Sequence, residues 1–189
     1  MKLASKLATA FAALTFASAA FAESHAETGN PMVGGAAMFP TMNIVENAVN
    51  SADHTTLVAA VQAAGLVETL QGPGPFTVFA PVNSAFEALP AGTVETLLRP
   101  ENKDLLVKVL TAHVVAGNWS ADEIARQARA SSDGFYHFNA VSGDALSAQV
   151  KGSKLYIYDE SGNASLVTIS DVNQSNGVIH VVNAVLVPK

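Results

Sequence analysis

Five histidines are the side chains of this sequence best suited to holding a metal or moving a proton: His25, His54, His113, His137 and His180. No two of them form an H-x-H or H-x-x-x-H pair, the spacings at which one short strand or helix presents two imidazoles together. The chain has no cysteine, so it has neither a thiol nucleophile nor disulfides. No serine lies in a G-x-S-x-G turn. Gly72 and Gly74 form a G-x-G, but prolines follow both and a strand pattern comes next, whereas a dinucleotide loop must lead into a helix. Of the acidic pairs, Asp122-Glu123 suits the start of a helix, where negative charge meets the dipole, and Asp159-Glu160 suits a hairpin turn. We expect no catalytic residue, no metal and no cofactor.

The histidine that most needs an explanation is His180. It interrupts NGVIHVVNAVLVP, residues 176–188, a β-branched run after a turn dipeptide. On a strand, Val178, His180 and Val182 share one face, and Ile179, Val181 and Asn183 share the other. Both faces are apolar, which predicts a central strand covered on both sides. Each face then holds one polar group that must find a partner, or cost about 1–3 kcal/mol.

The elements that would supply those partners divide by period. The first half is helical. Helices are predicted at Ile44–Ala48, at 56–64 with Asp53 or Thr55 as cap and Gly65 as stop, and for one further turn through Leu70. A strand follows over 76–80. Asn83 is expected to cap a helix over 84–89. Helices then follow at 93–98 and 101–111, the second with Leu105, Leu106, Val109 and Leu110 inward. Ser120-Ala121-Asp122-Glu123 fits a capping box opening a helix to about Ala128. The second half changes to short β-rich runs, 135–140, 145–150, 154–158, 165–169 and 178–187. Turn pairs separate them at Ser142-Gly143, Lys151-Gly152, Ser161-Gly162 and Asn176-Gly177. The fold class is α+β, with an antiparallel meander and helices mainly in the first half.

Residues 1–22 read as a signal peptide: Lys2 and Lys6, an apolar run over 7–21, and an A-x-A site at Ala20-Phe21-Ala22. The apolar run is shorter than the roughly 20 residues of a spanning helix. Residues 23–42 are small, polar and glycine-bearing and read as a flexible lead, with a single domain over 43–189. The whole chain has 10 basic and 16 acidic residues, and cleavage after Ala22 removes two lysines, leaving a net charge of −8. So acidic a domain is a poor match to a phosphate backbone, which excludes nucleic acid as a partner. The expected location is periplasmic or secreted. Three N-x-[ST] sequons occur, at Asn118, Asn163 and Asn173, as asparagine and serine commonly do in turns.

Two long motifs carry a family resemblance. TVFAPVNSAF, residues 77–86, resembles the first signature of the fasciclin (FAS1) domain, and NGVIHVVNAVLVP resembles the second. LTAHV, residues 110–114, resembles the tyrosine–histidine region between them. The chain departs from the family pattern at Val82, where threonine is usual, at Asn183, where aspartate is usual, and at Ala112, where animal matrix members carry tyrosine. The resemblance implies a β-wedge of two small sheets with helices alongside and the first signature strand beside the C-terminal one. It marks Thr77, Phe79, Pro81, Asn83, Phe86, His113, Asn176, Gly177, His180 and Asn183 as structural signature positions. It suggests that Thr77 and Asn83 lie next to His180 and Asn183 and pair with them. It also aligns Asp171-Val172 with the Asp-Ile pair that animal members present to receptors.

The resemblance implies a non-catalytic extracytoplasmic module for adhesion or surface contact, monomeric, with a protein, glycan or matrix partner. Asp171 is the expected contact residue, with an exposed carboxylate in a loop. The alternative is a carrier of an apolar small molecule, a pigment or lipid, with Trp119, Phe135, Tyr136 and Phe138 lining its pocket.

Overall fold

The computed structural model describes residues 29–189, so the signal-peptide reading of 1–22 and His25 lie outside the described residues. The chain begins with a hairpin of β1 (Met32–Val33) and β2 (Ala36–Ala37), then α1 (Ile44–Ala48), α2 (Thr55–Ala64) and α3 (Val67–Leu70). Next come β3 (Phe76–Pro81), α4 (Asn83–Glu87), α5 (Thr93–Leu97), α6 (Lys103–Thr111), β4 (Val114–Ala116) and α7 (Ala121–Ala130). Five strands complete the order: β5 (Phe135–Asn139), β6 (Ala145–Lys151), β7 (Lys154–Tyr158), β8 (Ala164–Gln174) and β9 (Gly177–Val182).

Seven strands form one sheet in the order β4-β3-β9-β8-β7-β6-β5. The two small sheets implied by the resemblance are the two halves of this sheet, sharing β8. Its first residues pair with β7, and from Val167 onward it pairs with β9. Register shifts between Val167 and Val172 bend it between the two pairings. All pairings are antiparallel except one: β3 runs parallel to β9, with Phe79 opposite His180.

As its pattern demands, β9 is central and divides two cores. Ile179 and Val181 pack with Val33, Met38, Leu57, Val78 and Leu106 under the helices. Val182 packs on the other side with Phe79, Ile124, Leu146, Ile157 and Leu186. The strand is shorter than predicted and stops at Val182. Asn183 bends the chain away and is exposed, not covered within a strand. Its Oδ1 accepts from the Leu166 amide at 2.8 Å, and its own amide donates to the Leu166 carbonyl at 3.1 Å.

Two further expectations need correction, and one element was not foreseen. Residues 31–38, expected within a flexible lead, fold into the β1–β2 hairpin, and Val33 and Met38 are buried in the first core. The polar composition that suggested a lead is offset by Asn47, fully buried, whose side chain accepts from the Phe39 amide at 2.9 Å and donates to the Phe39 carbonyl at 2.8 Å. Leu105 is 51% exposed, because α6 turns only Leu106, Val109 and Leu110 fully inward. The short β4 carried no sequence signal, being three residues between a helix and a glycine turn.

Helix ends explain several polar positions. Asn43 caps α1 in a full capping box with Glu46. Neither Asp53 nor Thr55 caps α2. That cap comes from Asn83, whose Oδ1 accepts from the Thr56 amide at 3.0 Å while its Nδ2 donates to the Ala52 carbonyl at 2.9 Å. Asn83 is itself the first residue of α4, whose preceding residue, Val82, offers no side-chain cap. Ser120 caps α7 through the Glu123 amide, as predicted. The Glu123 carboxylate, however, turns to Arg126 and Gln127.

Candidate functional site

Buried polar side chains stitch the elements together, and the signature positions Thr77, His113, Asn176 and His180 are among them. Asn176 ties three elements: its Oδ1 accepts from the Ile44 amide at 3.0 Å, and its Nδ2 donates to the carbonyls of Leu70 and Gly72, each at 2.8 Å. Its carbonyl takes the Phe76 amide at 3.1 Å. Gly177 follows because a Cβ there would collide with the Phe76 backbone. Pro81, at the other end of β3 opposite Val182, and Phe86 in α4 are also buried.

Three histidines are buried, each with both ring nitrogens engaged. His54 Nδ1 accepts from the Ser51 hydroxyl at 2.9 Å, and Nε2 faces the Ala80 carbonyl at 3.4 Å. His113 Nδ1 donates to the Val109 carbonyl at 2.8 Å, and Nε2 accepts from the Leu186 amide at 2.8 Å. His180 Nδ1 accepts from the Asp171 amide at 3.2 Å, and Nε2 donates to the Trp119 carbonyl at 2.8 Å. Each ring uses one donor and one acceptor, which is the pattern of a neutral imidazole. Burial lowers all three pKa values from 6.5, opposed by the backbone bonds, and His113 falls to about 4.

His180 is therefore a hydrogen-bonded core histidine, but its partners differ from those suggested by the resemblance. Thr77 and Asn83 do not reach it. Thr77 Oγ1 donates to the Gly117 carbonyl at 2.8 Å and accepts from the Trp119 amide at 2.9 Å. The His180 ring stacks on Phe79 instead, with centroids 5.7 Å apart. The pairing was illegible because its partners, the Asp171 amide and the Trp119 carbonyl, are backbone groups that every residue carries.

Asp171 lies within β8 rather than in a loop after a strand. Among the described residues it is the one non-glycine at positive φ, +58°, at the bulge. It is half-buried, not exposed, and its Oδ1 accepts from the Ala121 amide at 2.8 Å, satisfying a free donor at the start of α7. Val172 is fully buried in the first core, so it offers no apolar side chain to a partner. The sequence placed both residues beside the turn but could not show the bulge that turns them inward.

Two spaces could hold a ligand. An apolar cavity of about 90 Å³ lies between the hairpin, α1, α2 and the β3–β9 face, beside Val33, Leu57, Val78 and Val172. A cleft of about 170 Å³ opens between β4, β5 and α7, lined by Phe79, Val115, Trp119, Ile124, Tyr136 and Phe138. Phe135 is not part of it, because it points to the other face of β5 and meets Tyr158 edge-on at 5.7 Å. Among the described residues, no three His, Asp or Glu side chains gather as a metal cluster, and no helix is long and apolar enough to cross a membrane.

Fold and motifs together define a FAS1-like β-wedge, and the comparisons agree. The family model for the fasciclin domain matches residues 52–188, and the chain belongs to the fasciclin family. Protein sll1483 of Synechocystis sp. is 47% identical over 193 residues, covering all of this chain and 99% of that protein. Immunogenic protein MPB70 of Mycobacterium bovis is 31% identical, covering 96% of this chain and 95% of that protein. Transforming growth factor-beta-induced protein ig-h3 of Sus scrofa is 38% identical over 70% of this chain, which spans 17% of that protein. The solved FAS1 domain pair of the insect cell adhesion molecule fasciclin I superposes with a TM-score of 0.68, at 14% identity, over 77% of this chain and 50% of that one. This last likeness concerns the fold alone.

Proposed function

We propose that this protein is an exported, non-catalytic interaction module that contacts a cell surface or matrix component, protein or glycan, through the surface around Asp171. The observation that carries this reading is the backbone of Asp171. A non-glycine residue held at positive φ is a strained arrangement, and such outliers gather at functional positions. Membership of the fasciclin family supports the same reading. The contact does not extend to Val172, which is buried. Asp171→Asn keeps an oxygen for the Ala121 amide and tolerates the left-handed backbone, but loses the charge. The expected result is an unchanged melting temperature with lost adsorption to native cell surfaces. Undiminished adsorption would refute the role. Export predicts that the mature chain begins at Glu23, which N-terminal sequencing of the exported protein checks; recovery of intact 1–22 in a membrane fraction would contradict it.

A second reading, as a carrier of an apolar small molecule, is favoured by the cleft beside Trp119, most of whose lining is apolar. Organic extraction of protein purified from its native source tests it. A ligand recovered in stoichiometric amount supports the carrier, and an empty extract counts against it.

A further inference from the structure

The geometry points to a binding site for one neutral apolar ring, aryl or alicyclic, in the open mouth of the wedge. This inference rests on the carrier reading and assigns it a place and a ligand class. The sheet begins at β4 and ends at β5, and the two edge strands nearly close on each other. Just past the end of β5, the Val141 amide donates to the Val114 carbonyl at 2.7 Å, where β4 begins. No ladder joins the two strands below that point. The gap between them is the cleft, with Trp119 and the first turns of α7 over it.

The lining suits a ring. Phe79, Val115 and Ile124 are buried and form the floor. Trp119, Tyr136 and Phe138 are half-buried and form the walls. Trp119 and Tyr136 have centroids 6.0 Å apart, and Tyr136 and Phe138 have centroids 5.2 Å apart. At these separations the three rings contact one another as one aromatic wall, the kind of surface a further ring stacks on or meets edge-on. The space, about 170 Å³, exceeds the roughly 150 Å³ that takes a benzene molecule in an apolar cavity. The cavity under the helices, at about 90 Å³, falls short of that size.

The polar atoms decide the ligand class. Thr77 Oγ1 already donates to Gly117 and accepts from Trp119. Trp119 Nε1 donates to the Ala116 carbonyl at 3.0 Å. Of the lining side chains, the Tyr136 hydroxyl and Asn139 alone remain to partner a ligand hydroxyl, so a sugar ring pressed into the cleft would strand most of its hydroxyls, whereas an apolar ring has none to strand. Asn139, exposed at the rim, leaves room for one polar substituent at the mouth. The wall is also fixed in advance: Thr77 holds the Trp119 amide and His180 holds its carbonyl, so little ordering remains for the ligand to impose.

Trp119 is the only tryptophan in the chain, so its fluorescence reports on this cleft. The experiment titrates the whole mature protein with bromobenzene and bromocyclohexane, whose bromine quenches indole on contact. Parallel titrations use 1-bromobutane and a bromophenyl-free brominated glycoside. The ring bromides should quench to saturation, and the other two only linearly with concentration. Linear quenching by the ring bromides, or equal saturation by the glycoside, would overturn the site. Ala116→Leu fills the mouth from an exposed position and should weaken ring binding by about tenfold or more with the melting temperature unchanged. Undiminished saturation in that variant would also overturn it. If extraction yields an acyclic apolar ligand while the ring bromides quench only linearly, the carrier reading stands and the ring site falls.

Discussion

Lowering the pH from 7 to 4 should remove about 3 kcal/mol of folding stability through His113 alone. Its pKa falls from 6.5 to about 4 in the folded protein, chiefly because burial penalises the charged ring. Each pKa unit is worth about 1.4 kcal/mol, so the 2.5-unit difference gives about 3 kcal/mol. The sign follows from proton uptake. Between pH 6.5 and 4 the unfolded chain binds the proton and the folded chain does not. Stability is thus complete above about pH 6.5 and is lost as pH falls toward 4. Protonation would also place an N–H where Nε2 now accepts from the Leu186 amide. Carboxylates titrate in the same range, so the clean quantity is a difference. His113→Gln keeps an acceptor near Leu186 but has no imidazole, so it should be less stable at pH 7 and lack this pH dependence. Urea denaturation at pH 7, 5 and 4 gives both curves. The gap between wild type and variant should shrink by about 2 kcal/mol by pH 5 and about 3 kcal/mol by pH 4. A gap constant over that range would refute the account of His113 as a neutral, buried bridge.

Asn176→Ala removes three side-chain hydrogen bonds that join α1, α3 and the loop at Gly72 to the turn before β9, and urea denaturation should show a loss of about 3 kcal/mol; a loss below about 1 kcal/mol would contradict that role. Asn83→Ala deletes the cap that α2 borrows across the chain and should lower stability by about 1–2 kcal/mol by the same measurement. His180→Ala strands the Trp119 carbonyl and the Asp171 amide and empties space against Phe79. It should lower stability by about 3 kcal/mol and shift Trp119 emission to longer wavelength. An unchanged spectrum would contradict the link between the two residues.

Much of this fold was legible because local rules and tertiary structure agreed. The helices at Ile44, Thr93 and Ser120 and the meander from Phe135 onward follow from caps, turn pairs and period. The covered faces of β9 followed from alternation alone. The misses have physical reasons. The hairpin at 31–38 is held by Asn47 and by burial of Val33 and Met38, contacts made with residues beyond its own segment. Asn83 looked like a cap for its own helix and instead serves another 27 residues earlier, because an asparagine side chain carries no mark of its partner. Leu105 fits the apolar stripe of α6 yet lies just outside the arc that the core covers. For the candidate site, the aromatic residues Trp119, Tyr136 and Phe138 were visible in the sequence. The convergence of β4 and β5 that brings them together was not, since β4 was unrecognised.

The parallel pairing of β3 with β9 has a consequence for the order of assembly. Phe76–Pro81 has the short β4 on one side but finds its other neighbour only in Gly177–Val182, about one hundred residues later, and β9 also separates β3 from β8. Until β9 arrives, the strand that anchors the helical half and the strands of the meander have no common edge. Neither half can finish its sheet in advance of the other, and Asn176, which ties α1 and α3, enters at the same moment. Most of the chain must therefore wait, its apolar faces uncovered, for a single late insertion that completes both cores together. Contacts so distant in sequence slow that closure, and a chain stopped short of Gly177 lacks the strand that joins β3 to β8.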